Sequence, residues 1–320
     1  VNVLLLTVLL GCVDADAPVN PADTEPRVFE VPKGATAGGL GPTLVAEGLV
    51  PGEWQWKLFL RQTDASCLKA GRFEVHGSMS MNELVDTLCG VPLPDDVPFT
   101  VVEGWRIQDI DEALVAKGWI EAGAYAKVAE GKLVDAPFEV PSPSYEGYLY
   151  PETYLVPAEG FTPELLVTRQ LETFRDRFLE PHGADLGGRT LHEIVVMASM
   201  LEREEPKPEQ RPLVAGILWN RIDAGDPLGV DATSRYTLDE WNDRKAFLKQ
   251  LRDPSDPYNT RTKAGLPPTA IGNPTVASLQ AAVKPEKTKF WYYLHDAEQN
   301  LHPALNAAGH EANRKKYNVY

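Results

Sequence analysis

The sequence predicts an α+β protein in two parts, a small module followed by a larger mixed α/β domain. Three observations lead there. Short strand patterns and short helical patterns alternate up to about Leu93. From Phe99 onward helical patterns dominate, with strand-like runs at Phe99 and at Phe290–Leu294. Two capping boxes, Ser80 with Glu83 and Thr190 with Glu193, mark helix starts in the two parts.

The chain has 320 residues, room for two domains, and 43% hydrophobic content is ordinary for a globular protein. A formal net charge of −15 argues against nucleic-acid binding, because phosphates would be repelled. Neutral substrates such as sugars remain open. The three cysteines form no CxxC and no His/Cys cluster, so neither a metal site nor a cofactor is expected.

Residues 1–27 form a leader and linker. Val1–Val13 is apolar but too short to span a bilayer. It resembles a signal-peptide core without the basic start. Leu9-Leu10-Gly11-Cys12 resembles a lipobox, which would make Cys12 a lipidation site; a clipped membrane anchor is the other reading. Both point outside the cytoplasm.

The small module covers 28–95. Phe29–Pro32 is a strand pattern, Ala37–Gly48 a helix closed by glycine, and Trp54–Gln62 a second helix. Leu68–Val75 turns into a strand, and Ser80–Leu88 is a capped helix. This order resembles a LysM-like module, a type associated with peptidoglycan. In an oxidising compartment Cys67 and Cys89 are candidates for a disulfide.

The larger domain covers 98–320. A strand and glycine turn lead into an amphipathic helix at Ile107–Leu114, and Tyr125–Val134 suggests another. Glu146–Tyr154 alternates aromatic and acidic residues around Pro151, which suits a sugar cleft or a half-buried strand edge. Phe161–Leu179 is an amphipathic, core-facing helix. Thr190 then caps a helix that is apolar from Ile194 to Leu201 except at Ser199, and therefore belongs in a core. Leu213–Ile222 is a further helix, and Asp231 and Thr233 can cap a short one. Gly265–Pro274 is a stiff loop rich in proline and glycine, fit to line a cleft. Thr275–Val283 is helical, Phe290–Leu294 an aromatic core strand, and a basic helix follows His302 and His310.

The chemistry concentrates where the apolar helix ends, in Glu202-Arg203-Glu204-Glu205 before Pro206. A carboxylate in a last helical turn sits at the negative end of the helix dipole, which raises its pKa. A carboxylic acid still protonated near neutral pH is what general-acid catalysis needs. Acidic helix ends are more often simply solvated, and spacing does not choose between Glu202 and Glu204.

Six segments, in order, resemble the endolytic murein transglycosylases, the YceG-like family: EGYLYPETY at 146–154, ASMLEREE at 198–205, NRIDAGDPLGVDATSRY at 220–236, YNTRTKAGLPPTAIGNP at 258–274, SLQAAVKPEKTKFWYYL at 278–294, and the tail around His310. The resemblance implies cleavage within peptidoglycan strands, between N-acetylmuramic acid and N-acetylglucosamine, without water. One acid would protonate the glycosidic oxygen. As a carboxylate it would then take the proton of the muramoyl 6-hydroxyl, giving a 1,6-anhydro end. The resemblance places that acid at Glu204, with Glu202 in support. It marks Tyr148, Glu152, Asn220, Arg221, Asp231, Thr233, Tyr258, Asn259 and Asn273 as cleft-lining or supporting groups. It also implies peptidoglycan as partner, proximity to the cell-wall synthesis machinery, and a place in the cell envelope at the periplasmic face of the inner membrane or beyond. Gly229, Ala232, Ala307 and Gly309 depart from the family pattern. None of the four is expected to touch Glu204, and the last two weaken a catalytic role for His310.

Two other readings compete. A lysozyme-like hydrolase would use Asp231 as second carboxylate. A cell-wall-binding protein would have no catalysis at all.

Overall fold

A computed structural model describes residues 14–93, 95–157 and 160–319. The leader, with Cys12, lies outside the described residues. Among these residues no helix is long and apolar enough to cross a membrane. The chain divides into two compact units, with the break after Asp96.

In the first unit β1 (Arg27–Val31) pairs antiparallel with β2 (Gly71–Val75), in register from Arg27 opposite Val75 to Val31 opposite Gly71. Between them lie a 3-10 turn at Ala37–Leu40, α1 (Gly41–Ala46) and α2 (Glu53–Phe59). The helix expected over Ala37–Gly48 is thus two pieces, because the glycines at its start give the chain no reason to hold one axis. α3 (Met81–Cys89) follows, with the Ser80 and Glu83 capping box fully formed. Phe29, Trp56, Phe73 and Leu84 fill the core of this unit. A disulfide joins Cys67 to Cys89, with 5.1 Å between their Cα atoms.

At the break, β3 (Asp96–Thr100) leads into the second unit and pairs with β4 (Thr153–Pro157). Between these strands lie α4 (Ile107–Ala116) and α5 (Ala124–Gly131). α6 (Pro163–Phe174) passes through a π turn at Arg175–Leu179 into the single turn α7 (Glu180–His182). The central element is α8 (Leu191–Glu204), whose residues from Ile194 to Leu201 are all buried. α9 (Arg211–Ala224), α10 (Asp231–Arg235), α11 (Arg244–Gln250), α12 (Val276–Val283) and α13 (Ala307–Lys316) complete the unit. α12 packs along α8, and α10 touches its far end.

Two expectations change. Phe290–Leu294 is no strand; single bridges pair Tyr292 with Ala304 and His295 with Leu301. Tyr292 and Tyr293 are only half-buried there. Glu146–Tyr154 is not the sugar-cleft segment expected either: Tyr148 and Leu149 lie in the core, and only its end enters the half-buried strand β4. The reason is a partner distant in sequence. Asn273 Oδ1 accepts from the amides of Gly147 and Leu149, both at 3.0 Å, and draws the segment inward. Gly147 (φ +89°) makes this possible, for a Cβ at that position would collide with Ala270 and Val195.

Candidate active site

The site forms where α8 ends. Thr190 Oγ1 accepts the Glu193 amide (3.2 Å) and the Glu193 carboxylate accepts the Thr190 amide (2.8 Å), which fixes the helix start. One polar side chain interrupts the apolar stretch. Ser199 Oγ donates to the Val196 carbonyl (2.8 Å) and accepts from the Ile271 amide (3.0 Å), tying α8 to the loop before α12.

The acidic cluster then divides its work. Glu202 is enclosed: it accepts from the amide and hydroxyl of Thr275 (2.8 and 2.7 Å) and pairs with Arg211 at 2.9 Å. Arg203 lays its guanidinium over Trp241, 3.6 Å from the ring centre. Glu205 ends the helix in an extended conformation and is fully buried. Glu204 alone opens on a cleft of about 520 Å³, whose walls include Arg221, Asp231, Arg261, Tyr293 and His310. Helical spacing could not separate Glu202 from Glu204; the burial of one and the opening of the other do.

The Glu204 carboxyl is held at both oxygens. Oε1 accepts from the Ala232 amide (3.3 Å) and Oε2 from the Tyr293 hydroxyl (3.2 Å). Ala232, one of the departures from the family pattern, therefore does touch Glu204, through its backbone. Burial, and then the negative charge of Asp231, push the Glu204 pKa up, while the Ala232 amide, Tyr293 and His295 act against the rise. Tyr293 is itself pushed well above the ordinary phenol range by burial, so it stays a donor. A raised carboxyl pKa alone does not identify an acid. Glu146 is pushed up to about 8 by burial, yet it is shut in the core on the Ile107 amide and the Tyr236 hydroxyl.

Of the residues expected at the site, Glu204, Arg221 and Asp231 meet in the cleft. Asp231 pairs with Arg261, both exposed. Arg221 donates to the Leu228 carbonyl (2.9 Å) and lies over Tyr292. The others are framework. Tyr148 is 1% exposed and packs on Phe138 and Phe174, so it lines no cleft. Glu152 pairs with Arg177 on the surface. Asn220 donates to the Thr288 carbonyl at 3.0 Å, steadying the segment that carries Tyr293. Thr233 is buried against Thr260 and the Val230 carbonyl. Tyr258 meets Thr269 and lies tilted against Tyr236, with ring centres 4.7 Å apart. Asn259 donates to the carbonyls of Leu251 and Asp253, closing the loop after α11. Asn273 also donates to the Trp105 carbonyl.

Sequence reasoning missed Tyr293, His295 and Arg261. The aromatic run FWYYL gave a core strand, whereas bridges to Ala304 and Leu301 set the pairing. Arg261 had a signal, since it follows Asn259 inside a segment already marked. Among the described residues no group of His, Cys, Asp and Glu is placed to hold a metal ion.

The description of the YceG-like family matches residues 29–316. The endolytic murein transglycosylase of Streptococcus pneumoniae D39 is 24% identical, over 94% of this chain and 60% of that protein. The endolytic murein transglycosylase of Bacillus subtilis 168 is 24% identical, over 90% of this chain and 84% of that protein. The chain thus spans about 60% of the length of its pneumococcal relative. A YceG-like protein of Listeria monocytogenes, solved by crystallography, shares the fold with a TM-score of 0.59 and 22% identity, over 90% of this chain and 99% of that one.

Proposed function

Because the chain belongs to the YceG-like family, we propose that it is a peptidoglycan lytic transglycosylase whose general acid is Glu204. The observation that carries this reading is one half-buried carboxyl in a cleft, with its pKa raised and both oxygens held. Glu204 gives its proton to the glycosidic oxygen between N-acetylmuramic acid and N-acetylglucosamine. The C1–O bond breaks and the glucosamine leaves as an alcohol. The muramoyl 6-oxygen bonds to C1, its proton returns to the enzyme, and the strand ends in a 1,6-anhydro sugar. One carboxyl suffices because the nucleophile is already part of the substrate. Tyr293 and the Ala232 amide stabilise the carboxylate that appears as the proton leaves.

The proposal extends to organisation. Residues 98–320 form the catalytic domain, with Glu202 holding Glu204 in place through Arg211 and Thr275. Residues 28–95 form a LysM-like module that keeps the enzyme on peptidoglycan. The names of the relatives support glycan strands as the partner and the cell envelope as the place of work. Attachment through the leader, by lipidated Cys12 or an anchor, and proximity to wall synthesis are part of the same reading.

A second reading is favoured by one observation: Asp231 shares the cleft and its charge acts on Glu204. With Asp231 as base, water would take the place of the 6-hydroxyl and the enzyme would be a hydrolase. Digesting purified peptidoglycan and weighing the products separates the two. Anhydro ends are expected. Reducing ends would make it a hydrolase, and no cleavage would make it a binder. Glu204→Gln is expected to lose about 10³-fold in kcat while melting as the wild type does. Full activity in that variant would overturn the assignment.

A further inference from the structure

Beside Glu204 lies a second pair that the mechanism above does not use. The Glu205 side chain is fully buried, and His295 Nε2 stands 2.9 Å from its Oε2. The other oxygen, Oε1, accepts the Lys207 amide at 2.8 Å. Arg211 reaches only the Glu205 backbone carbonyl, through Nε at 2.9 Å, and gives its charge to Glu202. His295 is therefore the side chain that bonds this buried carboxyl group.

The histidine is not enclosed with its partner. It lines the Glu204 cleft, and among the described residues its Nδ1 makes no hydrogen bond. Tyr293 links the two groups. Its hydroxyl donates to Glu204, and its ring stands edge-on to His295 with centres 6.0 Å apart. With Glu205 as acceptor, the proton of a neutral imidazole belongs on Nε2, which leaves a lone pair on Nδ1. A buried carboxylate, an imidazole bonded to it, and a free ring nitrogen on a cleft wall make up the base half of a nucleophile-activating relay.

We propose that His295 is a second catalytic residue, the base for the attacking hydroxyl, and that Glu205 is its positioning residue. The proposal rests on the cleft reading above and changes one step of it. Glu204 still protonates the leaving oxygen. As the muramoyl 6-oxygen bonds to C1, its proton passes to His295 Nδ1. The imidazolium, stabilised by Glu205, then returns that proton through solvent in the cleft to the Glu204 carboxylate, and both groups are reset. Dividing acid from base lets one group begin the reaction protonated and the other unprotonated, which a single carboxyl achieves only in turn.

The test uses the full chain on purified peptidoglycan, with wild type, Glu204→Gln, His295→Ala and Glu205→Gln in parallel. His295→Ala is expected to lose roughly 100-fold in kcat with KM little changed, and added imidazole is expected to restore part of the rate. Glu205→Gln is expected to lower kcat without moving KM. If His295→Ala fails to melt cooperatively, His295→Gln replaces it, since its amide can still donate to Glu205 but offers no basic nitrogen. Wild-type kcat in either histidine variant, or a folded His295→Ala that imidazole does not help, overturns the proposal. If wild type cleaves and Glu204→Gln does not, such a result sinks only the histidine's role. If wild type does not cleave, or Glu204→Gln does, the cleft reading itself has failed.

Discussion

As the proposed acid, Glu204 serves only while it keeps its proton, so activity should fall as pH rises through its raised pKa. Asp231 contributes to that rise by its charge, from within the same cleft. Asp231→Asn removes the charge, lowers the Glu204 pKa, and should move the alkaline limb of the rate profile to lower pH. An unmoved limb would show that Asp231 is too well screened by Arg261 to matter, and complete loss of activity would favour the hydrolase. At this scale the acidic turn was legible in the ERE pattern, but the expected cause of a raised pKa, the helix end, gives way to burial and the charge of Asp231. The turn's neighbours were not legible. Glu202 and Glu204 are two residues apart on one turn, and what distinguishes them is the arrival of Arg211 and Thr275 at one and of Tyr293 at the other. Those partners lie between 9 and 89 residues further on, beyond the reach of any local pattern.

Among the elements, α8 is braced at its carboxyl end by a buried ion pair. The Glu202 and Arg211 side chains are 5% and 7% exposed, and they join the end of α8 to the start of α9. Removing one partner of such a pair leaves a charge uncompensated, at a cost of about 3–5 kcal/mol. Arg211→Ala should lose that much in chemical denaturation and should also slow cleavage, because Glu204 shares the turn. A loss below about 1 kcal/mol would mean that the pair behaves like a solvated one. Helix starts were readable. Thr190 with Glu193 and Ser80 with Glu83 close their capping boxes where local sequence placed them, because every partner lies within three residues. Phe290–Leu294 was not readable, since its conformation depends on bridges to Ala304 and Leu301 rather than on its own aromatic run. Glu146–Tyr154 misled for a similar reason: Asn273, more than a hundred residues away, pulls it into the core.

At the level of the whole molecule, the first unit is small and its core is correspondingly limited, so a cross-link matters more there. The Cys67–Cys89 bridge closes a loop with a sequence separation of 22. A bridge of that span stabilises by about 3 kcal/mol, chiefly by restricting the unfolded chain. Reduction should therefore lower the melting of the first unit and leave that of the second in place, since no cysteine lies beyond Cys89. A single transition that shifts as one would show that the units unfold together. The break near residue 96 was visible in the change from alternating short patterns to long helical ones. The net charge of −15 pointed away from nucleic acid, but it did not foretell a cleft walled by Arg221, Arg261 and His310. Bulk composition averages over such a place.

Glu204 takes its two hydrogen bonds from Ala232 and Tyr293, and the same cleft is closed by His310 and Arg314 on α13. A chain leaves the ribosome amino end first. The acidic turn of α8 is therefore made well before the α13 residues that help to wall its cleft. A copy that stops short of α13 thus carries Glu204 in a cleft with one side missing.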